Sequence, residues 1–322
     1  MNTNYIEIIP KIIPVFILLG VGYFLKVKKF ISNNSIGEIK KLIVNISLPA
    51  LLFMSFLDVN FTIEFFFIIL IVFLINLLML LIGKGFAFFT KLKDPHLPLL
   101  FTGFEVGMLG IPLFGAIYGT ESIKYMAVVD LGQEIYVWFV LFAMLLSLQQ
   151  KGKQLHFVGL FKSFITSPII IAILLGIILN SSGIKSLISE NFLFQGVINS
   201  IDMLGSLTVP LILLVIGYEI NFKTSNISLP LKIIGIRLLI LVPIALLVGN
   251  FVFSKYLELD PLYSVALLSV VILPPPFIIP LFFNQEDEQM GEKSYVYNTL
   301  SISTVISIIA FLIIVVFFTP AL

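Results

Sequence analysis

Cysteine is absent from this 322-residue chain, and histidine, arginine and charge are scarce. Without cysteine there are no disulfides, thiolate metal sites or cysteine nucleophiles. The two histidines, His96 and His156, lie far apart in predicted loops, which argues against a histidine-based metal site or triad. We therefore expect no metal, no cofactor and no enzyme activity. The net charge of +1 gives no indication of nucleic acid as a partner.

Hydrophobic residues dominate what is present. They make up 59% of the chain and charged residues only 11%, whereas soluble domains carry about 25% charge. The mean hydropathy is +1.13, which predicts a polytopic membrane protein in contact with lipid. Ten apolar stretches approach the roughly 20 residues that a transmembrane helix needs. These spans cover residues 8–25, 39–57, 65–89, 97–119, 124–148, 165–182, 196–218, 230–254, 262–283 and 295–318.

Lysine is distributed unevenly between the two sides of the predicted membrane. Most lysines fall in the loops that follow odd-numbered spans, for example Lys28 and Lys41. The opposite side holds only Lys11, Lys124, Lys185 and Lys255. Because cytoplasmic loops carry the excess of basic residues, both termini are predicted to be extracytoplasmic, in a plasma membrane of the bacterial inner-membrane type.

Span four differs from an ordinary transmembrane helix. Gly107, Gly110 and Pro112 cluster near its middle, and these residue types break or unwind a helix. Glu105 lies a turn or two before the predicted break. A carboxylate in hydrocarbon is costly, so it normally faces an interior cavity and marks a transport pathway. A broken helix beside a buried acid is typical of a transporter binding site.

Span nine carries a matching interruption. Pro274, Pro275 and Pro276 are consecutive, and three residues without amide hydrogens cannot continue an α-helix. We expect spans four and nine to cross at their breaks, with half-helices restarting near Pro112 and after the proline run. Their N–H groups and positive dipole ends would then converge on a site for an anion. The alternative is that the prolines only kink two packed helices.

Each of three short sequence matches relates one span to the fifth span after it. ISLPALL in span two matches LTVPLIL in span seven, LLG occurs in spans one and six, and IPLF in spans four and nine. Five spans is an odd number, so the second half would enter from the opposite side. The sequence thus predicts two inverted five-helix repeats, residues 1–154 and 155–322.

Other polar residues lie inside the spans. Asp130, Gln133 and Glu134 share a face of span five and suggest a proton or cation relay, unless Asp130 reaches the outer interface and only Glu134 is buried. Span ten offers a polar stripe for substrate contact or helix–helix hydrogen bonding. Its members are Asn298, Ser301, Thr304 and Ser307.

Two further sites have alternative readings. Asn45 and Ser47 in span two either line the cavity or cap backbone groups freed by Pro49. Arg237 is the only arginine, and a guanidinium inside a span needs a carboxylate, a cluster of carbonyls or the membrane interface. Pairing with an acid such as Glu219 or Glu105 is favoured over direct binding of substrate.

Several motifs together resemble one family over residues 10 to 318. They are Pro14-Val-Phe with Gly20 and Gly22-Tyr, Asn45-Ile-Ser-Leu-Pro49, Gly107-Met-Leu-Gly-Ile-Pro112, Arg237 to Pro243, and Leu273-Pro-Pro. The chain is similar to the auxin efflux carriers, which include plant PIN carriers and bacterial malate or malonate permeases. The resemblance implies crossed helices four and nine, and a fold like that of bile-acid and sodium/proton transporters. It also implies a homodimer, a scaffold of helices 1, 2, 6 and 7, and a transport domain of helices 3–5 and 8–10.

The resemblance further implies an elevator-like movement that carries organic anions. Glu105 departs from the family pattern, because many relatives have Asn in this part of helix four. We therefore predict a permease for a small organic anion, with a proton or sodium as the coupling ion. The alternatives are an amino-acid or zwitterion exporter in which Glu105 stays ionised, and a membrane receptor that does not transport.

Overall fold

The computed structural model describes residues 5–57, 62–92, 94–149, 157–182, 192–219, 227–283 and 294–318. All regular secondary structure in these ranges is helical, as predicted. Seven helical stretches are long and apolar enough to cross a membrane, and three shorter apolar helices, Ile13–Val27, Pro168–Ser181 and Pro261–Val271, lie in spans one, six and nine. The chain is therefore a multi-pass membrane protein. Exactly repeated halves are not established, so the inverted repeat stays a prediction.

The chain divides into two compact units. The first comprises Met1–Ile63, Gly107–Ala127 and Lys162–Ile220. Its helices are Tyr5–Val27 in span one, Asn33–Leu42 and Leu48–Leu57 in span two, Ile111–Tyr118 in span four, Pro168–Ser181 in span six, and Phe192–Ser206 with Thr208–Glu219 in span seven. Helix Phe157–Ile165, just before span six, is divided between the two units. A π-helical turn, Ile43–Ser47, joins the two helices of span two.

Spans one and seven of the first unit pack at very short range. A Cβ atom at Gly22 would overlap the carbonyl oxygen of Leu214, and one at Gly217 would overlap that of Leu19. Small residues at such contacts let two helix backbones approach closely, and this packing partly replaces the hydrophobic driving force that lipid does not provide. Glycine at both positions is therefore a packing requirement.

The second unit comprises Glu64–Val106, Val128–Phe161 and Asn221–Leu322. Its spans three and ten are long single helices, Ile63–Thr90 and Ser294–Phe318. Span five consists of Ile123–Tyr136, the π-helical turn Val137–Leu141 and Phe142–Gln149, and span eight of Ser228–Leu247 followed by the π-helix Val248–Tyr256. Spans four and nine are interrupted here, and their geometry defines the candidate site.

Two residues named in the sequence predictions fall outside the described residues. They are His156, in its predicted loop, and Lys185, on the predicted outer side. The predicted side of each terminus and the type of membrane also stay predictions.

Candidate functional site

The break in span four lies one turn earlier than its glycines and proline predict. The 3-10 helix Leu97–Phe101 is followed by non-helical residues 102–105, and helix resumes with the π-helical turn Val106–Gly110. Glu105 is thus the last residue of the break, and the prediction that it precedes the break is wrong. Within the break, Gly103 has a φ of +66°, a left-handed conformation that glycine adopts without strain.

The glycines and proline that predicted this break are tolerated within helix. Gly107 and Gly110 belong to the π-helical turn, and Pro112 is the second residue of helix Ile111–Tyr118. Because helix has already resumed at Val106, Pro112 lies inside it, and the preceding π-helical turn is one way to accommodate the hydrogen bond that proline removes. All three residues belong to the first unit, whereas Glu105 belongs to the second.

The break in span nine lies where its prolines predict. Helix Pro261–Val271 ends there, residues 272–278 are not helical, and a short 3-10 helix, Ile279–Phe282, follows. Both spans therefore contain true interruptions, and the alternative of simple kinks is wrong. Non-helical backbone in a membrane protein must be enclosed by protein or water. Span four meets this condition, because 83% of its apolar window is buried, against 28–44% for the other six long spans.

The two breaks are hydrogen-bonded to each other. The amide of Glu105 donates to the carbonyl of Pro274 at 2.9 Å. The Glu105 side chain makes a second hydrogen bond between the breaks, since its Oε2 accepts from the amide of Phe277 at 2.7 Å. A Cβ atom at Gly103 would lie 2.5 Å from Cγ of Pro276, so only glycine lets the breaks come this close. The first free amide after the proline run is thus bound by a carboxylate of the protein itself.

Arg237 joins the same two breaks. It is 3% exposed, and its guanidinium donates to the carbonyl oxygens of Leu100 at 2.7 Å, Gly103 at 3.1 Å and Leu273 at 3.1 Å. Its Cζ also lies 5.4 Å from the ring centre of Phe104, within range of a cation–π contact. The favoured pairing with Glu105 is wrong, and the carbonyl cluster is correct. The side chain of Glu219 lies outside the described residues.

Three more helices each supply one polar side chain to the breaks. Asn76 of span three accepts from the amide of Gly103 at 2.7 Å, and Gln133 of span five donates to the carbonyl of Phe104. Ser307 of span ten donates to the carbonyl of Ile272 at 2.6 Å. Proline at position 276 leaves that carbonyl without its usual helical donor. Freed backbone groups of both spans are therefore bound by side chains from spans three, five, eight and ten.

Span five carries its acids as predicted, but with a different pattern of burial. Asp130 is 7% exposed and Gln133 3%, so the alternative that only Glu134 is buried is wrong. Glu134 is half-buried and accepts from the indole Nε1 of Trp138 at 2.9 Å. The carboxyl of Asp130 interacts electrostatically with those of Glu134 and Glu105. Three acids are thus grouped beside the breaks.

The polar stripe of span ten is rotated from the predicted one. Ser301 is exposed and Thr304 donates to the carbonyl of Leu300 within its own helix. The well-buried polar face contains Thr299, Ser303 and Ser307, spaced four residues apart, and Asn298 of the predicted stripe is also buried. Of the predicted stripe, Ser307 takes part in the site, where it bonds to the break in span nine.

Span two belongs to the first unit, and its two polar residues differ from each other. Asn45 is exposed and donates to the carbonyl of Lys41 at 2.8 Å, whereas Ser47 is buried. Both lie in the π-helical turn that precedes Pro49. A proline removes one i→i−4 bond, and a π turn is one way for the helix to accommodate that loss. Whether either residue lines a cavity stays a prediction.

Asn76 is the site residue that sequence reasoning missed. It is a lone amide in a 28-residue apolar helix and is fully buried. Its isolation was the available signal, because a polar group inside a membrane helix normally has a specific partner.

Two interrupted spans that are hydrogen-bonded to each other in a multi-pass helical protein are typical of membrane transport proteins. The comparison with protein families agrees: the model described as "Membrane transport protein" matches residues 7–315, so the chain belongs to this family, the auxin efflux carrier-like family that its motifs resemble. The chain is also similar to an uncharacterized transporter of Methanocaldococcus jannaschii. The two are 26% identical over 219 residues, which cover 65% of this chain and 68% of the relative.

Proposed function

We propose that this transporter moves a small organic anion, such as a carboxylate, by secondary active transport coupled to protons through Glu105. The observation that carries the proposal is the hydrogen bond from the Phe277 amide to the Glu105 carboxylate. The first amide after three prolines is a donor for a negative group, and here that donor is bound by a side chain that can gain a proton.

The coupling follows from competition for one donor. A substrate carboxylate can take the Phe277 amide only if Glu105 leaves it, and two ionised carboxylates at that position would repel each other. Protonation removes the charge of Glu105 and weakens its bond, because hydrogen bonds to ionised acceptors are roughly twice as strong as neutral ones. Proton and anion therefore promote each other's binding, and this coupling is reciprocal.

An elevator movement is the mode of transport that we propose. Both breaks and the side chains that hold them belong to the second unit. A movement of that unit as a body would carry the site without breaking its internal hydrogen bonds. The membership of the units supports this proposal, since the second unit includes spans three, five, eight, nine and ten, with the first half of span four. A homodimer and the malate or malonate specificity stay predictions.

The test is uptake into proteoliposomes over a range of pH, with wild type and Glu105→Gln. Glutamine still offers an oxygen to the Phe277 amide but cannot ionise. We expect the dependence of transport on pH to become weaker in this variant, while Glu38→Gln, a change at an exposed surface acid, keeps it. Unchanged pH dependence in Glu105→Gln would refute the coupling role.

A zwitterionic substrate is the second candidate, and one observation favours it. Glu105, Asp130 and Glu134 are grouped, while the hydrogen bonds of Arg237 go to backbone carbonyls, so the site is rich in acceptors for an ammonium group. A thermal-shift screen of the purified protein against dicarboxylates, amino acids and indole acids separates the two. Stabilisation by amino acids alone would replace the anion proposal.

A further inference from the structure

Two buried acceptor oxygens of span five have no hydrogen-bond partner within the described part of the chain. They are Oδ1 of Asp130 and Oε1 of Gln133. The residues are 7% and 3% exposed, and both belong to helix Ile123–Tyr136. A spacing of three residues places them on the same helix face. Buried polar atoms are rarely left without a partner, so this pair calls for an explanation.

The orientation of the Gln133 side-chain amide is fixed by the hydrogen bond of its nitrogen. Its Nε2 donates to the carbonyl of Phe104, and an oxygen in that place could not donate. Oε1 is therefore the end without a partner, and it needs a donor. Asp130 Oδ1 also requires a hydrogen-bond donor as long as the carboxylate is ionised. A proton on Asp130 satisfies both oxygens, because the carboxylic O–H can then donate to Oε1.

The neighbouring ionisable groups do not supply that donor, and the Tyr136 hydroxyl on the same helix has no hydrogen bond to either oxygen in the described part of the chain. Glu134, on the same helix, and Glu105, in the break of span four, are acids that accept from Trp138 and Phe277. Arg237 of span eight directs its hydrogen bonds to three carbonyl oxygens. These contacts point to a bound proton.

We propose that Asp130 is a second proton-binding site, and that its proton is shared with Oε1 of Gln133. The proposal extends the proton coupling suggested for Glu105. The proton comes from water, binds one carboxylate oxygen, and leaves by the same bond, so no other group changes its covalent state. Gln133 then links the protonation of Asp130 to the carbonyl of Phe104, the residue next to Glu105. When the proton leaves, the Asp130 carboxylate and Oε1 repel each other, and the hydrogen bond from Gln133 to the carbonyl of Phe104 is weakened.

Infrared spectroscopy tests the bound proton without any transport assay. Purified wild-type protein at neutral pH should show the carbonyl stretch of a protonated carboxylic acid. Asp130→Asn should lose this band, and Glu134→Gln should keep it. In Gln133→Leu the band should shift to higher frequency, because the acid no longer donates to an acceptor. A band that survives Asp130→Asn, or that Gln133→Leu leaves unmoved, overturns the proposal.

Transport by Asp130→Asn tests what the proton does. The asparagine amide can donate to Oε1 as the protonated acid would, but it cannot release a proton. Proton-driven accumulation by Asp130→Asn should therefore be lost, and it should fall by a larger factor than substrate exchange between equal concentrations. Asp202→Asn, at an exposed acid of span seven, should retain both. Unchanged accumulation in Asp130→Asn refutes the coupling role of Asp130. If the wild-type protein moves no protons, the function proposed above is refuted. The infrared band still shows whether Asp130 binds a proton.

Discussion

Replacing Arg237 with methionine tests whether the guanidinium holds the two breaks together. Methionine keeps much of the apolar length of the side chain but leaves three carbonyl oxygens without this donor. A buried polar group left without a partner costs about 1–3 kcal/mol, so the gross loss is about 3–9 kcal/mol. The desolvation penalty of the buried cation disappears as well and offsets part of this loss. We expect a net destabilisation of about 2–5 kcal/mol.

Thermal unfolding of the purified protein in detergent measures the effect. At roughly 2 °C per kcal/mol for a chain of this size, Arg237→Met should lower the Tm by about 4–10 °C. Trp138 is the only tryptophan and belongs to the second unit, so its fluorescence reports on the relevant part of the molecule. Lys232→Met, at an exposed lysine of the same helix, is the matched control and should leave the Tm unchanged.

Arg237→Lys separates charge from geometry. Lysine keeps the positive charge, but its single ammonium group cannot reproduce the planar fork of the guanidinium. We expect a Tm between those of wild type and Arg237→Met, together with reduced transport. A Tm of Arg237→Met within about 1 °C of wild type would refute the reasoning, because the free energy lost with three buried hydrogen bonds should exceed that small change.

Two other predictions concern packing and orientation. Gly22→Ala should lower the Tm and the yield of folded protein, since its methyl group would overlap the carbonyl of Leu214, whereas Gly20→Ala has nothing within 4 Å to meet and should behave as wild type. Equal stability of the two variants would contradict the close packing. Because the chain has no cysteine, Lys28→Cys and Lys255→Cys are single labelling sites. An impermeant maleimide should label only Lys255→Cys in whole cells, and the reverse pattern would overturn the predicted orientation.

The helices were predictable because the dominant signal is local. Runs of apolar residues are read directly from the chain, and each of the ten predicted spans contains helix. The proline run also located the break in span nine, because Pro274, Pro275 and Pro276 remove donors wherever they occur. No partner elsewhere in the chain is needed for that effect.

The break in span four was misplaced because remote residues determine it. Glycine permits a break in a helix but does not require one, so the clustered Gly107 and Gly110 pointed to a position that the structure leaves helical. Asn76, 27 residues before Gly103, and Arg237, 134 residues after it, bind the backbone at Gly103. Such contacts depend on tertiary structure. The same reason explains why Arg237 was predicted to bind an acid: its carbonyl acceptors exist only once both helices are broken.

The occupied amide of Phe277 affects the substrate-binding step that we propose. Sequence reasoning predicted open N–H groups at converging helix ends, which would attract an anion of any kind. The Glu105 carboxylate already occupies that amide, so binding in the proposed mechanism would be an exchange of one acceptor for another. The free energy of exchange is smaller than that of filling an empty site, and it varies with the charge of Glu105. Weak binding that depends on pH suits a carrier, because a substrate must leave the site as readily as it enters. Selectivity would then come from the groups around the exchange, above all Arg237, Gln133 and Asp130, which set the position and charge of the breaks.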